Sequence, residues 1–316
     1  MKKIGIVGTG LIGKTCVDCI KNIEGFELAC LCDLNEEVVS KMAAEAGVPY
    51  FLDYKEIPKN IKLDAIVLNL PHFLHCEASI FFLEAGVNVF IEKPMANTVE
   101  ECDRMMEAEK RTGKKLCVGH IQRYYAANRK IREIINSGEI GKFCMCTEQR
   151  STFYFADWRP RWFLNKDLAG GGITMNFGAH ALDKFYYITG KKPVDAISNF
   201  GNEKNDFTVE GHAQFLAKFE DGTSASVTFS AYSNVVYDDV YYCTDGAIRC
   251  VDNVHMELYK NGCPVEKFDV VDDIRPLEIE LRDFLSALEG KPNEMPDGVY
   301  SREIIATIRK ALSNKF

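Results

Sequence analysis

Up to residue 120 the chain alternates between two kinds of pattern. Five apolar runs of strand length ("KIGIVG", "FELACLCD", "LDAIVLNL", "VNVFIEKP", "KKLCVGH") are separated by stretches in which apolar residues recur every three or four positions ("LIGKTCVDCIKNI", "EEVVSKMAAEAG", "LHCEASIFFLEAG", "TVEECDRMMEAEKRTG"). Continuous apolar strands separated by amphipathic helices predict a parallel sheet covered on both faces. A further helix, "NRKIREIINSG", follows, and then the period changes. From 142 to 270 the segments alternate with period two ("FCMCTEQR", "TVEGHAQFLAKF", "TSASVTFSAY", "DVYYCT", "AIRCV", "VHMELY"), and Asp221–Gly222, Asp245–Gly246 and Asn261–Gly262 stand between runs as tight-turn pairs. This predicts a large, mostly antiparallel open sheet, with a helical segment at 170–188 against it and two closing helices, "PLEIELRDFLSALEG" and "SREIIATIRKALSN". The predicted division is 1–120 and 121–316, with the last helix free to pack back on the first domain.

Composition narrows the class. The 316 residues are 47% hydrophobic and 27% charged, which suits a globular chain with a sizeable core. A net charge of −8 without a basic run argues against nucleic acid and against an anionic membrane surface. The opening "MKKIGIVGTGLIGK" imitates a signal peptide, but it is glycine-rich and lacks a small-residue cleavage site, so it reads as strand and turn. No apolar stretch approaches membrane-spanning length. The twelve cysteines include Cys16-x-x-Cys19 and Cys30-x-Cys32, but no set has zinc-ligand spacing, so no metal is expected. They read as reduced core thiols of a cytoplasmic protein.

Gly8-x-Gly10-x-x-Gly13 directly follows the first strand and opens the first helix. Such glycines let the backbone approach a pyrophosphate whose charge rests on a helix N-terminus. Asp33 ends the second strand twenty residues beyond Gly13, where an acid accepts hydrogen bonds from ribose hydroxyls. Together these predict a Rossmann dinucleotide-binding domain. A 2′-phosphate would meet Asp33, and Leu34–Ser40 offers Glu36 and Glu37 but no arginine, only acids and neutral groups. NAD is therefore expected over NADP.

"FIEKP" (90–94), "LPHFLH" (70–75) and "GGGITMNFGAHALD" (170–183), added to the glycine turn, resemble the glucose–fructose oxidoreductase / inositol dehydrogenase / MocA (Gfo/Idh/MocA) superfamily, over the whole chain. The resemblance implies an α/β fold with a Rossmann domain and an α+β substrate-binding and oligomerisation domain, assembling as a homodimer or homotetramer. It implies that Lys93 contacts substrate and nicotinamide, that Glu92 lines the cofactor site, and that His180 is catalytic. Asn176 stands where many members carry aspartate. Pro71 and His75 match a segment beside the nicotinamide, although Leu70 replaces a common threonine. "VGHIQRY" (118–124) brings Gln122 and Arg123 to the substrate side. The cofactor set so implied is Gly8, Gly10, Leu11, Ile12, Gly13, Asp33, Leu34, Asn69, Leu70, His75, Glu92 and Lys93.

The chemistry can be argued from residue types. Oxidising a carbinol removes a hydride and a proton from one H–C–O–H unit. The proton needs a base that titrates near neutrality, and histidine is the natural choice. A lysine cation stabilises the developing alkoxide. Asn176, four residues before His180, lies on the same helical face and cannot carry charge, which leaves the imidazole neutral and able to accept. On their own, Lys93 also reads as a solvated strand end and His180 as a satisfied core histidine. "STFYFADWRPRWFLNKD" (151–167) concentrates six aromatics and two arginines, with Trp158 and Arg159 expected to contact substrate as part of a lid that the glycines at 170–172 leave free to move. The expected activity is an NAD(P)-dependent dehydrogenase or reductase acting on CH–OH groups, specifically NAD-dependent oxidation of a secondary hydroxyl of a sugar, cyclitol or derivative. Two other readings stand beside it: a non-catalytic dinucleotide-binding regulator, and a glycosidase that oxidises transiently and keeps its NAD.

Overall fold

A computed structural model describes residues 1–204 and 206–314. The chain divides into two compact units, Met1–His120 with Ile274–Arg302, and Ile121–Asp273 with the residues from Glu303 on.

The first unit holds β1 (Lys2–Val7), α1 (Leu11–Ile20), β2 (Phe26–Cys32), α2 (Glu36–Ala46), β3 (Tyr50–Phe51), α3 (Ile57–Asn60), β4 (Ala65–Leu68), α4 (His75–Glu84), β5 (Asn88–Glu92), α5 (Val99–Thr112) and β6 (Leu116–Gly119). All neighbouring strands pair in parallel, in the order β3-β2-β1-β4-β5-β6. This is the doubly wound arrangement, whose order reverses at β1 and β4. Ile4, Ile6, Ala65–Leu68 and Val89–Ile91 are buried, so the apolar runs are the central strands. Helix boundaries follow local chemistry. The Thr98 side chain caps α5 in a reciprocal box with Glu101, and Gly113 ends it at φ +65°. α9 (Pro276–Leu288) lies against α1, and the Leu285 side chain approaches Gly25 so closely that a Cβ there would sit 2.7 Å from it.

The second unit is built on an eight-stranded sheet in the order β14-β13-β12-β11-β7-β10-β9-β8. Its strands are β7 (Phe143–Ser151), β8 (Pro193–Gly201), β9 (His212–Phe219), β10 (Ser224–Ser230), β11 (Tyr237–Cys243), β12 (Gly246–Val251), β13 (His255–Lys260) and β14 (Cys263–Asp269). All pairs are antiparallel except β7 with β10. α6 (Ala126–Ser137), the one-turn α7 (Lys166–Ala169), α8 (Ile173–Thr189) and the later part of α10 (Gly298–Ser313) complete it. The fold class agrees with the expectation. Two strands escaped the period-two reading. β8 turns Asp195 and Asn199 outward and a polar Ser198 inward, and β14 is exposed along nearly its whole length, so neither has an apolar alternation to see. The turn between β12 and β13 is Asp252–Asn253, both at positive φ, a conformation these two residue types tolerate without glycine.

One face of the sheet is dry. In β9 Ala213, Phe215, Ala217 and Phe219 point inward, while His212, Gln214, Leu216 and Lys218 point outward. The aromatics of β9, Phe215 and Phe219, thus share the inner side, and Leu216 is the apolar residue on the outer one. Not all the thiols are core thiols: Cys144 and Cys263 are exposed.

α8 crosses this inner face almost wholly buried. Glu148 and Asp239 are directly opposed on β7 and β11, an unfavourable pairing of like charges. Lys184 of α8 resolves it: its Nζ donates to Asp239 Oδ2 at 2.5 Å and lies 2.8 Å from Glu148 Oε2, with all three side chains at most 1% exposed. Burial nonetheless pushes Asp239 up to about 7 against the pull of Lys184. Lys184→Met should cost about 3–5 kcal/mol at pH 8, because it strands two buried carboxylates. Without the cation the buried Asp239 carboxyl binds its proton more tightly folded than unfolded, so stability falls as pH rises and the deficit should shrink towards pH 5. Urea unfolding at pH 5 and pH 8 measures both; an equal, small deficit at both would contradict it.

Candidate active site

In the first unit the strand order reverses between β1 and β4, and the three glycines sit at the C-terminal end of β1. Gly8 has φ +88°, and a Cβ on it would lie 2.2 Å from the Asn69 carbonyl oxygen; one on Gly13 would lie 1.9 Å from the Gly8 carbonyl oxygen. The protein's own packing demands these two. Gly10 differs: φ is −64° and a Cβ would meet nothing within 4 Å. The space over Gly10 suits close approach of a ligand to the backbone. α1 also begins without a side-chain cap or an acid in its first turn, whereas α2 has Asn35 as cap and Glu36 and Glu37. Its N-terminal amides thus fit a pyrophosphate.

Asp33 ties this turn down. Its Oδ2 accepts from the Thr9 amide at 2.7 Å and the Thr9 hydroxyl at 3.0 Å, and its Oδ1 accepts from the Asn35 amide at 2.9 Å. A carboxylate has about four acceptor sites, so one remains for a ribose hydroxyl. Leu11 and Leu34 flank the turn, 79% and 87% exposed. Ile12 is also exposed. Apolar residues so placed suit an adenine face.

The ends of β4 and β5 hold the other nominated residues of this unit. Asn69 lies beside Cys16, its Nδ2 3.9 Å from the sulfur. His75 is fully buried, with Nδ1 2.8 Å from the Pro94 carbonyl oxygen and Nε2 2.8 Å from that of Leu70. Its ring therefore pins together the segments after β4 and β5, and burial lowers its pKa. Glu92 is half-buried; desolvation pushes it up to about 7, against the Lys93 cation. Gly119 lies opposite Glu92 on β6, where a Cβ would come within 3.3 Å of Glu92 Oε1.

In the second unit α8 carries Asn176, His180 and Lys184 four residues apart, on one face. Asn176 is buried and its Nδ2 donates to the buried Tyr154 hydroxyl at 3.4 Å, while His180 is half-buried one turn on. Burial pushes Tyr154 up to about 12, so it stays a neutral phenol. The helix start is fixed by Glu210, whose Oε1 accepts from the Gly172 and Thr174 amides at 2.8 and 3.0 Å. Arg123 and Asp183 form a buried ion pair at 2.6 Å. The Gln122 carbonyl accepts from Asn128 Nδ2 at 2.7 Å, and its Oε1 lies 3.5 Å from the Tyr237 hydroxyl.

Residues 2–120 match the model described as "Oxidoreductase family, NAD-binding Rossmann fold", and 128–249 match the "GFO/IDH/MocA C-terminal domain". The chain belongs to the Gfo/Idh/MocA family. Among curated relatives, a 1-carboxy-3-chloro-3,4-dihydroxycyclohexa-1,5-diene dehydrogenase of Comamonas testosteroni is 34% identical over 190 residues, 60% of this chain and 47% of that one. A D-glucoside 3-dehydrogenase of Escherichia coli is 24% identical over 97% of this chain and 94% of its own. The chain thus spans about half the length of the first relative and nearly all of the second. Among solved structures, an oxidoreductase of Desulfitobacterium hafniense, described as NADPH-dependent, has the same fold with a TM-score of 0.90, 17% identity, and coverage of 99% and 95%.

Within this Gfo/Idh/MocA chain the 151–167 segment makes several contacts of its own. Tyr154 pairs with the Ala231 carbonyl, Phe155 stacks on Phe207 at 5.1 Å, and Arg159 Nε donates to the Tyr154 carbonyl at 2.6 Å with its guanidinium 3.9 Å from that ring. Trp158 alone of the two tryptophans is largely exposed, at 73%. A Cβ on Gly172 would lie 2.3 Å from the Glu210 carbonyl oxygen, so close packing demands this glycine. Sequence reasoning missed Thr9, Tyr154, Glu210 and Lys184; only Lys184 had a visible signal, its place four residues past His180.

The glycines separate in a direct test. Gly8→Ala should destabilise the fold strongly, through both the positive φ and the backbone clash. Gly10→Ala should leave the melting temperature nearly unchanged but weaken NAD binding at least about tenfold, read by calorimetry. Unchanged NAD affinity in Gly10→Ala would show that nothing approaches that backbone.

Proposed function

We propose that this chain is an NAD-dependent dehydrogenase that oxidises a secondary hydroxyl of a sugar, cyclitol or sugar derivative. What supports the reading most is His180 on the face of a helix anchored at both ends, with a neutral amide one turn before it. Bound NAD would supply the hydride acceptor, held by the Gly8–Gly13 turn, the α1 N-terminus and Asp33. His180 takes the hydroxyl proton as general base, and the Lys93 ammonium stabilises the alkoxide that forms. Asn176 orients a substrate hydroxyl, since its amide both donates and accepts. The relatives named above act, by their names, on a dihydroxylated ring and on a glucoside, which favours a ring carbinol here.

Lys93→Ala and His180→Ala should keep NAD affinity but cut turnover, by about 10²–10⁴-fold for the base, as read from NADH formation over a panel of polyols, aldoses and nucleotide sugars. Asn176→Asp sets a carboxylate one turn from His180 and favours the imidazolium. The neutral, base-competent form then appears only at higher pH, so the alkaline rise of the oxidation rate moves upward. An unmoved rise in a folded, active variant would remove His180 as the titrating base.

The cofactor preference rests on Asp33. Its carboxylate is fixed by three hydrogen bonds and cannot swing away from a 2′-phosphate. Titration should show NAD binding well ahead of NADP, and Asp33→Ala should narrow that gap. Equal affinities in the unmodified protein would sink this assignment.

A further inference from the structure

Arginines in the second unit differ sharply in how they are used. Arg123 is paired with Asp183, and Arg159 donates to the Tyr154 carbonyl inside an aromatic cluster. Arg150 is different. It lies on the inner face of β7 near the strand's end, opposite Phe229 of β10 and Tyr237 of β11. Its side chain makes no hydrogen bond and no ion pair among the described residues.

The guanidinium is held by ring faces instead. Its central carbon lies 4.0 Å from the Phe177 centroid and 4.5 Å from that of Tyr237. Stacking of this kind uses the faces of the planar cation and leaves the N–H groups at its edge for in-plane ligands. Of its three nitrogens only Nη1 is shut off from solvent without a partner. The open edge is therefore Nε and Nη2, which together meet an oxyanion side-on with two parallel hydrogen bonds.

Neighbouring charge does not use this edge up. Glu148 and Asp239 lie nearby, but both are held by Lys184 at 2.8 and 2.5 Å. The bracketing rings link Arg150 to the nominated substrate residues: Phe177 packs edge-on against Tyr154, whose hydroxyl accepts from Asn176. Phe177 follows Asn176 on α8, and the Tyr237 hydroxyl reaches Gln122 Oε1 and Lys184 Nζ, each at 3.5 Å. Resting on the reading of the second unit as the substrate-binding half, we propose that Arg150 determines specificity by binding an oxyanion, a carboxylate or phosphate, carried by the substrate. The natural substrate is then an acidic or phosphorylated sugar or cyclitol rather than a neutral one.

The test is binding, which is independent of turnover. Calorimetric titration of NAD-saturated protein with D-glucuronate, D-glucose 6-phosphate and D-glucose should show one of the two anions binding at least about tenfold more tightly than glucose. Which anion wins tells carboxylate from phosphate. Arg150→Met should abolish that preference and leave glucose binding unchanged; should it fail to fold, Arg150→Gln is read in the same way. If neither anion outbinds glucose, or if the preference survives in the variant, the assignment is wrong and Arg150 serves only to balance the buried carboxylates. Anion binding that depends on Arg150 without NADH formation on any substrate would uphold this inference while removing the dehydrogenase reading.

Discussion

The second unit depends on one buried cation. β7 and β11 bring Glu148 and Asp239 into direct opposition on a dry sheet face, and that arrangement is untenable without a charge between them. Lys184 can reach both only if α8 lies across the sheet in one rotation about its axis. That rotation turns Asn176 and His180, two turns and one turn earlier, along the same line. At the other end Glu210 takes the first free amides of the helix, so neither its axial position nor its start is free. A base carried on such an element is preorganised, in contrast to one on a loop.

The first unit uses a carboxylate in a similar double capacity. Asp33 closes the glycine turn through Thr9 and keeps one acceptor site in reserve, so the group that would read a ribose also shapes the turn beneath the pyrophosphate. The glycines divide the work. Gly8 and Gly13 exist because backbone passes where a side chain would be, whereas over Gly10 the space a side chain would fill is open. His75 has a similar supporting part, bridging two backbone segments from a fully buried position.

Much of the first unit was legible in the sequence, for a physical reason. Strands buried on both faces must be apolar throughout, and helices that cover them must be amphipathic, so both print their period directly on the chain. The glycine turn and its acid are local too, because a pyrophosphate site at a strand end is built from neighbours in sequence. The family motifs placed Lys93 and His180 at recognisable spacings for the same reason, and the i, i+4 relation of Asn176 and His180 follows from helical geometry alone.

The tertiary structure decided whatever depends on register or on what lies opposite. β8 and β14 gave no pattern because one turns an apolar Ile197 outward and a polar Ser198 inward and the other is exposed on both faces. Residues 170–172 look like a hinge in sequence, yet Gly172 is glycine because the Glu210 backbone passes through its Cβ position. The opposition of Glu148 to Asp239 appears only once β7 and β11 are paired. Whether an arginine is occupied or available likewise depends on what folding brings beside it: Arg123 found Asp183, sixty residues on, Arg159 found the Tyr154 carbonyl, and Arg150 found only aromatic faces. Local periodicity and short motifs are written along the chain, whereas pairing of charges and closeness of backbones are set by residues that meet only on folding.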